Sequence, residues 1–287
     1  MAINDALELE KIVLALEARD VKLYHACQLT DFKSYSKLGG IPSRNKLLNS
    51  GLAFTAFDTD KIDKENKVWD KVFGNFSDFG REFTKQRSRS QPNPYGPIQL
   101  VFRPNALRST TDLSITLRSA GARDFDRDKE CLKNAQEVEN IFQYSDASQV
   151  QNVTQKKNIA FSNELKLRFN RDDCTSPEFN CATKNELLSF DDVIYIVVDA
   201  CLYKERELSE EIGKITNKSV HRRTYYCPEK ESIIRELSKL SATYDCTQKP
   251  LITGNFASDE LKAWVSERND FHYNRFIRYL TYGTTRA

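Results

Sequence analysis

The sequence predicts an α+β fold in a single domain with helical additions at both ends. Apolar residues recur at helical spacing over 5–19, and two runs rich in β-branched and aromatic residues, 98–103 and 193–200, are typical of strands. Helical spacing returns after about residue 203. The 17 Phe and 12 Tyr among 287 residues supply large apolar faces. These features indicate a folded chain with a buried core.

The first third of the chain alternates helices with a short strand. The pattern predicts, in order, a helix over 5–19, a strand over 21–27, a helix over 29–38 and a further helix beginning near Ser43. Thr30 or Asp31 is placed to cap the second of these helices, and Gly39-Gly40 ends it. The charged run that follows, 55–71, predicts a loop with a short helix.

Strands dominate the middle of the chain, and helices dominate its end. The predicted strands are 72–76, 98–103, 113–117 and 193–200. The run VIYIVVDA in the last of them is typical of a central strand buried on both faces. The predicted helices are 127–142, 203–217, 229–242, 258–268 and 270–280. Residues 145–160 are rich in Asn and Gln and predict a polar loop.

The formal net charge, from 43 basic and 41 acidic residues, is only +2. A nucleic-acid surface would therefore have to come from local clustering. Arg81, Lys85, Arg87 and Arg89, interleaved with aromatic residues, form the best such cluster, and His221-Arg222-Arg223 form the second. Phe79, Phe83 and Tyr95 accompany the first cluster, and Tyr225-Tyr226 the second.

The sequence favours a cytoplasmic protein. Its longest apolar run, near 193–202, is broken by Asp199 and is far shorter than the roughly 20 residues of a membrane span. The N-terminal residues are acidic and lack the basic region of a signal peptide. Seven Cys without paired short spacings fit free thiols in a reducing compartment. Cys174 and Cys181 have no nearby His, so we expect no metal site.

Three features stand out as candidates for chemistry. They are Tyr24-His25 at the end of an early strand, Glu186 just before the most apolar strand, and the basic stretch from Arg81 to Arg89. Each has a structural alternative: a histidine satisfied inside the fold, a solvated carboxylate and a solvated loop. Their order along the chain is what gives them weight together.

Read in that order, the chain resembles the DarT-type ADP-ribosyltransferase toxins, which modify bases in single-stranded DNA. It is also similar to their relatives in chaperone-controlled phage-defence toxin systems, which modify messenger RNA. The resemblance spans residues 21–202, in order, and no single motif within it is specific. It rests on LYHACQLTDFKSYSKLGGIPSRN at 23–45, VWDKVFGNFSDFG at 68–80, PIQLVFRPNALRSTTDLSITLRSAGARDF at 97–125 and CATKNELLSFDDVIYIVVDA at 181–200.

The resemblance implies a core of two small, roughly perpendicular sheets around an NAD cleft. It places a transferase domain at 21–250, after an N-terminal helix at 1–20 and before a helical extension at 251–287. NAD would be a substrate and not a recycled carrier, and the chain has no G-x-G-x-x-G dinucleotide motif. The partners implied are single-stranded RNA or DNA, with RNA slightly favoured, and a cognate antitoxin.

The resemblance also assigns roles to residues. Glu186 and Lys61 are the expected catalytic residues. The expected NAD contacts are Tyr24, His25, Ala26, Ser43, Arg44, Asn45 and Phe76. The stretch of Arg81, Lys85, Arg87 and Arg89 is the expected nucleic-acid contact. Two departures from the family pattern remain: Trp69-Asp70 stands where the family has His-Asp, and the diphosphate cation could be Lys61, Lys64 or Arg44.

These residue types suit ADP-ribosyl transfer. Positive charge develops on the ribose as its bond to nicotinamide breaks, and a fixed carboxylate such as Glu186 stabilises that charge. His25 would hydrogen-bond a ribose, and a cation such as Arg44 would meet the diphosphate. Two alternatives stay open. The chain could be a ribonuclease that uses His25, Lys61 and Glu186 as acid and base, or a non-catalytic nucleic-acid-binding module.

Overall fold

A computed structural model describes residues 3–55, 70–76, 78, 80, 95–117, 125–141, 177–199, 202–203 and 206–223. The helices are α1 Ala6–Glu17, α2 Leu29–Leu38, α3 Arg44–Asn49, α4 Arg127–Glu130, α5 Ala135–Asn140 and α6 Leu208–Ile215. Two 3-10 helices span Pro104–Ser109 and Phe190–Asp192. The strands are β1 Leu23–Cys27, β2 Gly40–Pro42, β3 Val72–Asn75, β4 Ile98–Phe102, β5 Thr110–Thr116, β6 Cys131–Leu132, β7 Glu178–Thr183, β8 Leu187–Ser189, β9 Val193–Asp199, β10 Leu202–Tyr203, β11 Arg206–Glu207 and β12 Ser219–Arg223.

Eight of these strands form one hydrogen-bonded sheet in the order β12-β9-β4-β1-β3-β7-β5-β6. All neighbours in it are antiparallel except β9 and β12, which are parallel. The predicted α+β class is confirmed by this mixed sheet and its helices. In detail, the large sheet takes the place of two small ones, and a small second sheet of β2 and β8 lies beside it.

Strand β4 of the large sheet is buried on both faces. Every residue of β4 is buried, including the polar Gln99, and β4 lies between β1 and β9. The sequence predicts this burial for 193–200, but β9 has buried residues at only four of its seven positions. The strand buried on both faces is β4, whereas β9 has a partly exposed neighbour, β12, on one side.

The N-terminal helix packs into the main core. Asp5 caps α1 by accepting hydrogen bonds from the backbone N–H groups of Leu7 and Glu8, at 2.8 and 2.9 Å. The residues that α1 buries are Leu9, Ile12, Val13, Ala15 and Leu16. Arg108 then ties the helix to the 3-10 turn by donating to the carboxylates of Glu10 and Glu17. The helix predicted at 1–20 thus shares its core with the strands.

Two predicted helices are interrupted in the structure. The helix predicted over 127–142 is divided into α4 and α5 by strand β6, whose Cys131 and Leu132 pair with the end of β5. Asn134 caps α5 by accepting from the backbone N–H of Glu137. The helix predicted over 203–217 begins only at Leu208, after the β10-β11 hairpin. In both cases strand pairing overrides helical propensity. The pairing partner of β6 is distant in sequence, and the partner of β10 is the next strand along the chain.

Asp31 fixes the chain that follows α3. Its carboxylate accepts from the backbone N–H of Thr55 at 2.6 Å and of Gln28 at 3.4 Å. The N-cap residue of α2 is Gln28, and not Thr30 or Asp31 as the sequence predicts. Burial raises the pKa of Asp31 to about 6, although the bonds from Thr55 and Gln28 favour the ionised carboxylate.

In the part of the chain that the structure describes, no helix combines the length and the apolar character needed to cross a membrane. The predicted helices at 229–242, 258–268 and 270–280, the polar loop at 145–160 and the extension at 251–287 lie outside the described residues.

Candidate active site

Glu186 occupies a strained backbone position. It lies in the turn between β7 and β8 with a φ of 51°, the left-handed region that non-glycine residues rarely adopt. The turn is closed by a hydrogen bond from the backbone N–H of Glu186 to Thr183 O at 3.0 Å, and by two bonds between Thr183 and Leu187. Such a conformation costs about 1–3 kcal/mol and persists only where the surroundings enforce it, which is common at functional sites.

The Glu186 carboxylate is held by two residues more than 140 positions earlier in the chain. Asn45 Nδ2 donates to both of its oxygens, at 3.0 and 3.1 Å, and Ser43 Oγ donates to Oε2 at 3.1 Å. The backbone is fixed as well, because Ser43 N donates to Glu186 O at 2.9 Å. These contacts orient a half-buried charge with three hydrogen bonds from neutral donors.

The small second sheet brings these residues together. Ile41 and Pro42 of β2 pair with Leu188 and Leu187 of β8, so the two strands place Ser43 directly beside Glu186. Gly40 permits this approach, because a Cβ there would lie 2.3 Å from the carbonyl oxygen of Leu188. The pairing thus joins two segments that are more than 140 residues apart in sequence.

The start of α3 reinforces the contact. Ser43 Oγ also accepts from the backbone N–H of Lys46 at 3.0 Å, so the one hydroxyl both caps the helix and donates to Glu186. Lys46 Nζ donates to the carbonyl oxygen of Asn185 at 2.8 Å. Four groups therefore tie the turn that carries Glu186 to the start of α3. They are the backbone N–H and the hydroxyl of Ser43, the side-chain amide of Asn45 and the ammonium of Lys46.

His25 presents a buried acceptor. Its Nδ1 lies 2.7 Å from the carbonyl oxygen of Phe73, an atom that only accepts, so Nδ1 carries the proton and Nε2 has a free lone pair. Among the residues described, no hydrogen-bond partner reaches the buried Nε2. Burial lowers the pKa of His25 and outweighs the Phe73 carbonyl, which favours the charged ring. A neutral imidazole of this kind can accept a hydrogen bond from a ligand.

Phe73 connects His25 with the residues around Glu186. Its carbonyl fixes His25, while its ring lies 5.8 Å from the Arg44 guanidinium carbon, within cation–π range. Arg44 itself stands between Ser43 and Asn45. Phe73 is also paired with Asn180 of β7, the strand that leads to Glu186. One chain of contacts therefore runs from His25 through Phe73 to Arg44. The two sequence neighbours of Arg44 then continue it to Glu186.

Phe76, an expected NAD contact, is buried in the core. It is 2% exposed and packs edge-on against Phe179, with ring centroids 5.5 Å apart, so its ring has no open face for a dinucleotide. The half-buried aromatic residue of this strand is Phe73. The alternation in VFGN carried that signal, since Val72 and Gly74 are buried and Phe73 and Asn75 are partly exposed.

The remaining predicted NAD contacts lie on β1. Tyr24 pairs with Asn75 of β3 and with Val101 of β4, and Ala26 pairs with Gln99. All three central residues of β1, Tyr24, His25 and Ala26, are half-buried. Sequence reasoning missed the role of Asn45 as a donor to Glu186, because a partner 141 residues away leaves no local signal.

Part of the predicted site lies outside the described residues. This holds for Lys61, Lys64 and Trp69, and for Arg81, Lys85, Arg87 and Arg89 of the basic stretch. The second basic cluster is described as far as Arg223. There Arg222 pairs with Glu207, and Arg223 is held by Asp199 and Asp78, so these two cations already have carboxylate partners.

We expect Asn45→Ala to lower the turnover number of the reaction that Glu186 supports about 10- to 100-fold, with little change in the KM of the substrate. The reason is that a carboxylate displaced by about 1 Å can lose on the order of a hundredfold in rate. Asn49→Ala is the matched control, because Asn49 is exposed one turn along α3 and, among the described residues, donates to Asn45 Oδ1 at 3.3 Å and not to Glu186. An unchanged turnover number in Asn45→Ala would refute the positioning role.

No protein-family model matches the chain, and neither does any curated protein. Its structure is similar to three solved structures of DarT from Thermus sp. 2.9. The one in complex with ADP-ribosylated ssDNA is 14% identical, with a TM-score of 0.40, over 71% of this chain and 94% of that one.

The other two are DarT in complex with NAD+ and with carba-NAD+. They are 14% and 13% identical, with TM-scores of 0.37 and 0.38, and each match covers 71% of this chain and 95% of the other. A similarity of this size is distant and assigns no function to the chain.

Proposed function

We propose that this chain is an NAD-dependent ADP-ribosyltransferase that modifies a base in single-stranded nucleic acid. The observation that carries the proposal is Glu186, a carboxylate held in a strained left-handed conformation by Ser43 and Asn45. Strain of this kind at a half-buried charge is expected where geometry serves a reaction. The exposed Asp20 has the same φ of 51°, so what distinguishes Glu186 from a solvated surface carboxylate is its three hydrogen bonds from two side chains, Asn45 and Ser43.

Glu186 stabilises charge in the proposed reaction. The dinucleotide supplies a ribose whose bond to nicotinamide breaks, with nicotinamide leaving as a neutral base. Glu186 faces the positive charge that builds on the ribose, and its fixed orientation means that little reorganisation is needed during the reaction. A bond from the acceptor base to the same ribose carbon replaces the broken one, and Glu186 takes the proton that the attacking base loses.

His25 holds the dinucleotide in this proposal. Its neutral Nε2 accepts from a ribose hydroxyl, which satisfies a buried ring nitrogen that has no partner among the described residues. Tyr24 and Ala26, on either side, would supply backbone contacts to the carboxamide. His25 Nε2 is a hydrogen-bond acceptor, so it suits a ribose hydroxyl, which can donate, and not an ionised phosphate, which only accepts.

Arg44 would meet the diphosphate. Arg44 is half-buried, and its guanidinium lies over the Phe73 ring. In the chain it stands between Ser43 and Asn45, the two residues that bind Glu186, so it is close to the carboxylate of the proposed reaction. Lys61 and Lys64 are further candidates for this contact and, for Lys61, for catalysis. Ser43 and Asn45, first expected to bind NAD, instead act in the proposal by orienting Glu186.

The acceptor part of the proposal rests on sequence. The basic stretch of Arg81, Lys85, Arg87 and Arg89, with its aromatic residues, suits stacking on an unpaired base between held phosphates. We favour RNA slightly over DNA, on the resemblance to the messenger-RNA-modifying relatives and on Trp69. A toxin role in phage defence that blocks translation or replication and a cognate antitoxin follow from the same resemblance, and a cytoplasmic location follows from the sequence pattern of the N-terminus and the cysteines.

The test is one incubation of the native protein with labelled NAD and equal amounts of single-stranded RNA and DNA of the same sequence. We expect label on nucleic acid, with release of nicotinamide and a mass increase of one ADP-ribose. RNA cleavage without NAD would support the ribonuclease alternative. Binding without NAD consumption would support the non-catalytic alternative, and label on protein alone would exclude nucleic acid as the acceptor.

A further inference from the structure

Asn180 carries a buried amide oxygen that the described fold does not satisfy. The residue is 5% exposed, and its Oδ1 has no hydrogen-bond partner among the described residues. Buried polar atoms in folded proteins are hydrogen-bonded in the large majority of cases, because an unpaired one loses its bond to water and gains nothing in return. An unpaired acceptor of this kind suits a ligand that supplies the donor.

A row of three side chains crosses the sheet at Asn180. Asn180 of β7 pairs with Phe73 of β3 on one side and with Ser114 of β5 on the other. Directly paired residues of neighbouring strands carry their side chains on the same face, with Cβ atoms about 5 Å apart. The β3-β7-β5 row therefore presents, side by side, a half-buried aromatic ring, an amide and a half-buried hydroxyl.

The β3-β7-β5 row lies close to Glu186. At its β3 end, the Arg44 guanidinium carbon is 5.8 Å from the centre of the Phe73 ring, and the sequence neighbours of Arg44 bind Glu186. Along β7, Thr183 comes three residues after Asn180 and closes the turn that carries Glu186. Three residues of a strand span about 10 Å. A ligand the size of a nucleoside, held at Asn180, would therefore extend to the carboxylate.

We infer that the β3-β7-β5 row is the pocket for the acceptor base, and that Asn180 selects that base by hydrogen-bonding its polar edge. This inference rests on the proposed function. Unpaired bases are bound by stacking on aromatic rings and by hydrogen bonds to their edges. Each base carries an N–H donor beside an acceptor on one edge, and the oxygen and NH2 of a single amide match such a pair. Phe73 supplies the stacking surface, and Ser114 supplies a further polar contact.

The row suits a base better than it suits the nicotinamide of NAD. Nicotinamide has one carboxamide at the edge of its ring, and the proposed function already gives that group the backbone of β1. A base has two or three polar atoms along one edge. The amide of Asn180 and the hydroxyl of Ser114 lie next to each other in the row, so together they offer a matching line of polar atoms.

Asn180→Leu separates this role from a structural one. Leucine branches at the same carbon as asparagine and removes the unpaired buried acceptor, so the fold should lose little stability. Asn180→Ala is the second variant, because it removes the amide without adding volume. Asn75→Ala is the matched control, since Asn75 is a half-buried amide on the same face, two residues along β3 from Phe73.

The probes are a mixed-sequence single-stranded RNA and the DNA of the same sequence. The experiment measures binding of each fluorescently labelled probe, kcat/KM for the probe, the base that carries ADP-ribose, the KM for NAD, inhibition by nicotinamide and the melting temperature. We expect both Asn180 variants to lower probe binding and kcat/KM about tenfold and to spread the label over more bases, because a bidentate contact contributes discrimination of that order. The KM for NAD and the inhibition by nicotinamide should stay within about twofold, and Asn75→Ala should match the native protein.

Native probe binding and native base choice in both Asn180 variants would overturn the inference. A higher KM for NAD, or weaker inhibition by nicotinamide, would place nicotinamide on the row and overturn it as well. Losses for every ligand in step with a lower melting temperature would indicate a purely structural asparagine. Failure of the proposed function is distinguishable, since the native protein would then consume no NAD with either probe. Weaker probe binding by the Asn180 variants would still support the base pocket in that case.

Discussion

Glu186→Gln is expected to abolish transfer of ADP-ribose while the protein still folds and still binds NAD. The amide is isosteric with the carboxylate and keeps one oxygen as an acceptor for Ser43 and Asn45, so the turn retains its shape. What is lost is the negative charge facing the ribose. Removing one key electrostatic group of an active site costs on the order of 10²–10³ in kcat.

The measurement is NAD consumption and nucleic-acid labelling under single-turnover conditions, with NAD affinity measured separately by calorimetry. Glu210→Gln, in an exposed position on α6, is the control for loss of one negative charge. A Glu186→Gln protein that labels nucleic acid near the native rate would remove Glu186 from the chemistry. Loss of NAD binding together with turnover would assign Glu186 to binding instead.

The local elements of the fold could be predicted from the sequence, since periodicity and capping are local signals. The helix over 5–19 and the strand over 98–103 are present as α1 and β4, each within a few residues of the predicted bounds. The break of the predicted helix 127–142 at Cys131 could not be predicted in the same way. It depends on pairing with Ile115 and Thr116, and a helical pattern contains no information about that partner.

The site shows the same division between local and distant information. The strand that ends near His25 and the turn that carries Glu186 follow from patterns in their own segments. The partnership of Ser43 and Asn45 with Glu186 depends on the pairing of β2 with β8, two strands of three residues each. Strands so short have almost no periodicity, so their register could be read only from the structure.

The sequence places Arg223 in a basic cluster, and the structure gives it two carboxylate partners. The cluster His221-Arg222-Arg223 is basic in sequence, and basic clusters suit phosphate contacts. The carboxylates that hold Arg223, Asp78 and Asp199, are distant from it in sequence by 145 and 24 residues. Only the fold brings these charges together. It makes Arg223 a mostly buried side chain paired with two carboxylates, and not an exposed cation.

Leu16→Ala is expected to destabilise the whole domain by about 2–5 kcal/mol, the usual cost of truncating a fully buried leucine. Leu16 is 0% exposed and belongs to the same apolar cluster as Leu100 of β4 and Leu113 of β5. If α1 were an independent addition, as its separate range at 1–20 suggests, its loss would leave the remaining strands intact. The burial of five α1 residues argues that it would not.

Leu14→Ala provides the control within the same helix, because Leu14 is 52% exposed and its truncation should change the free energy of unfolding by less than about 0.5 kcal/mol. Urea unfolding followed by circular dichroism gives both values. A protein that lacks residues 1–20 should not fold stably, since a domain holds only about 5–15 kcal/mol in total. Native-like unfolding of the truncated protein would show instead that α1 only covers a finished core. Loss of folding would place α1 in the same cooperative unit as the strands that carry His25 and Glu186.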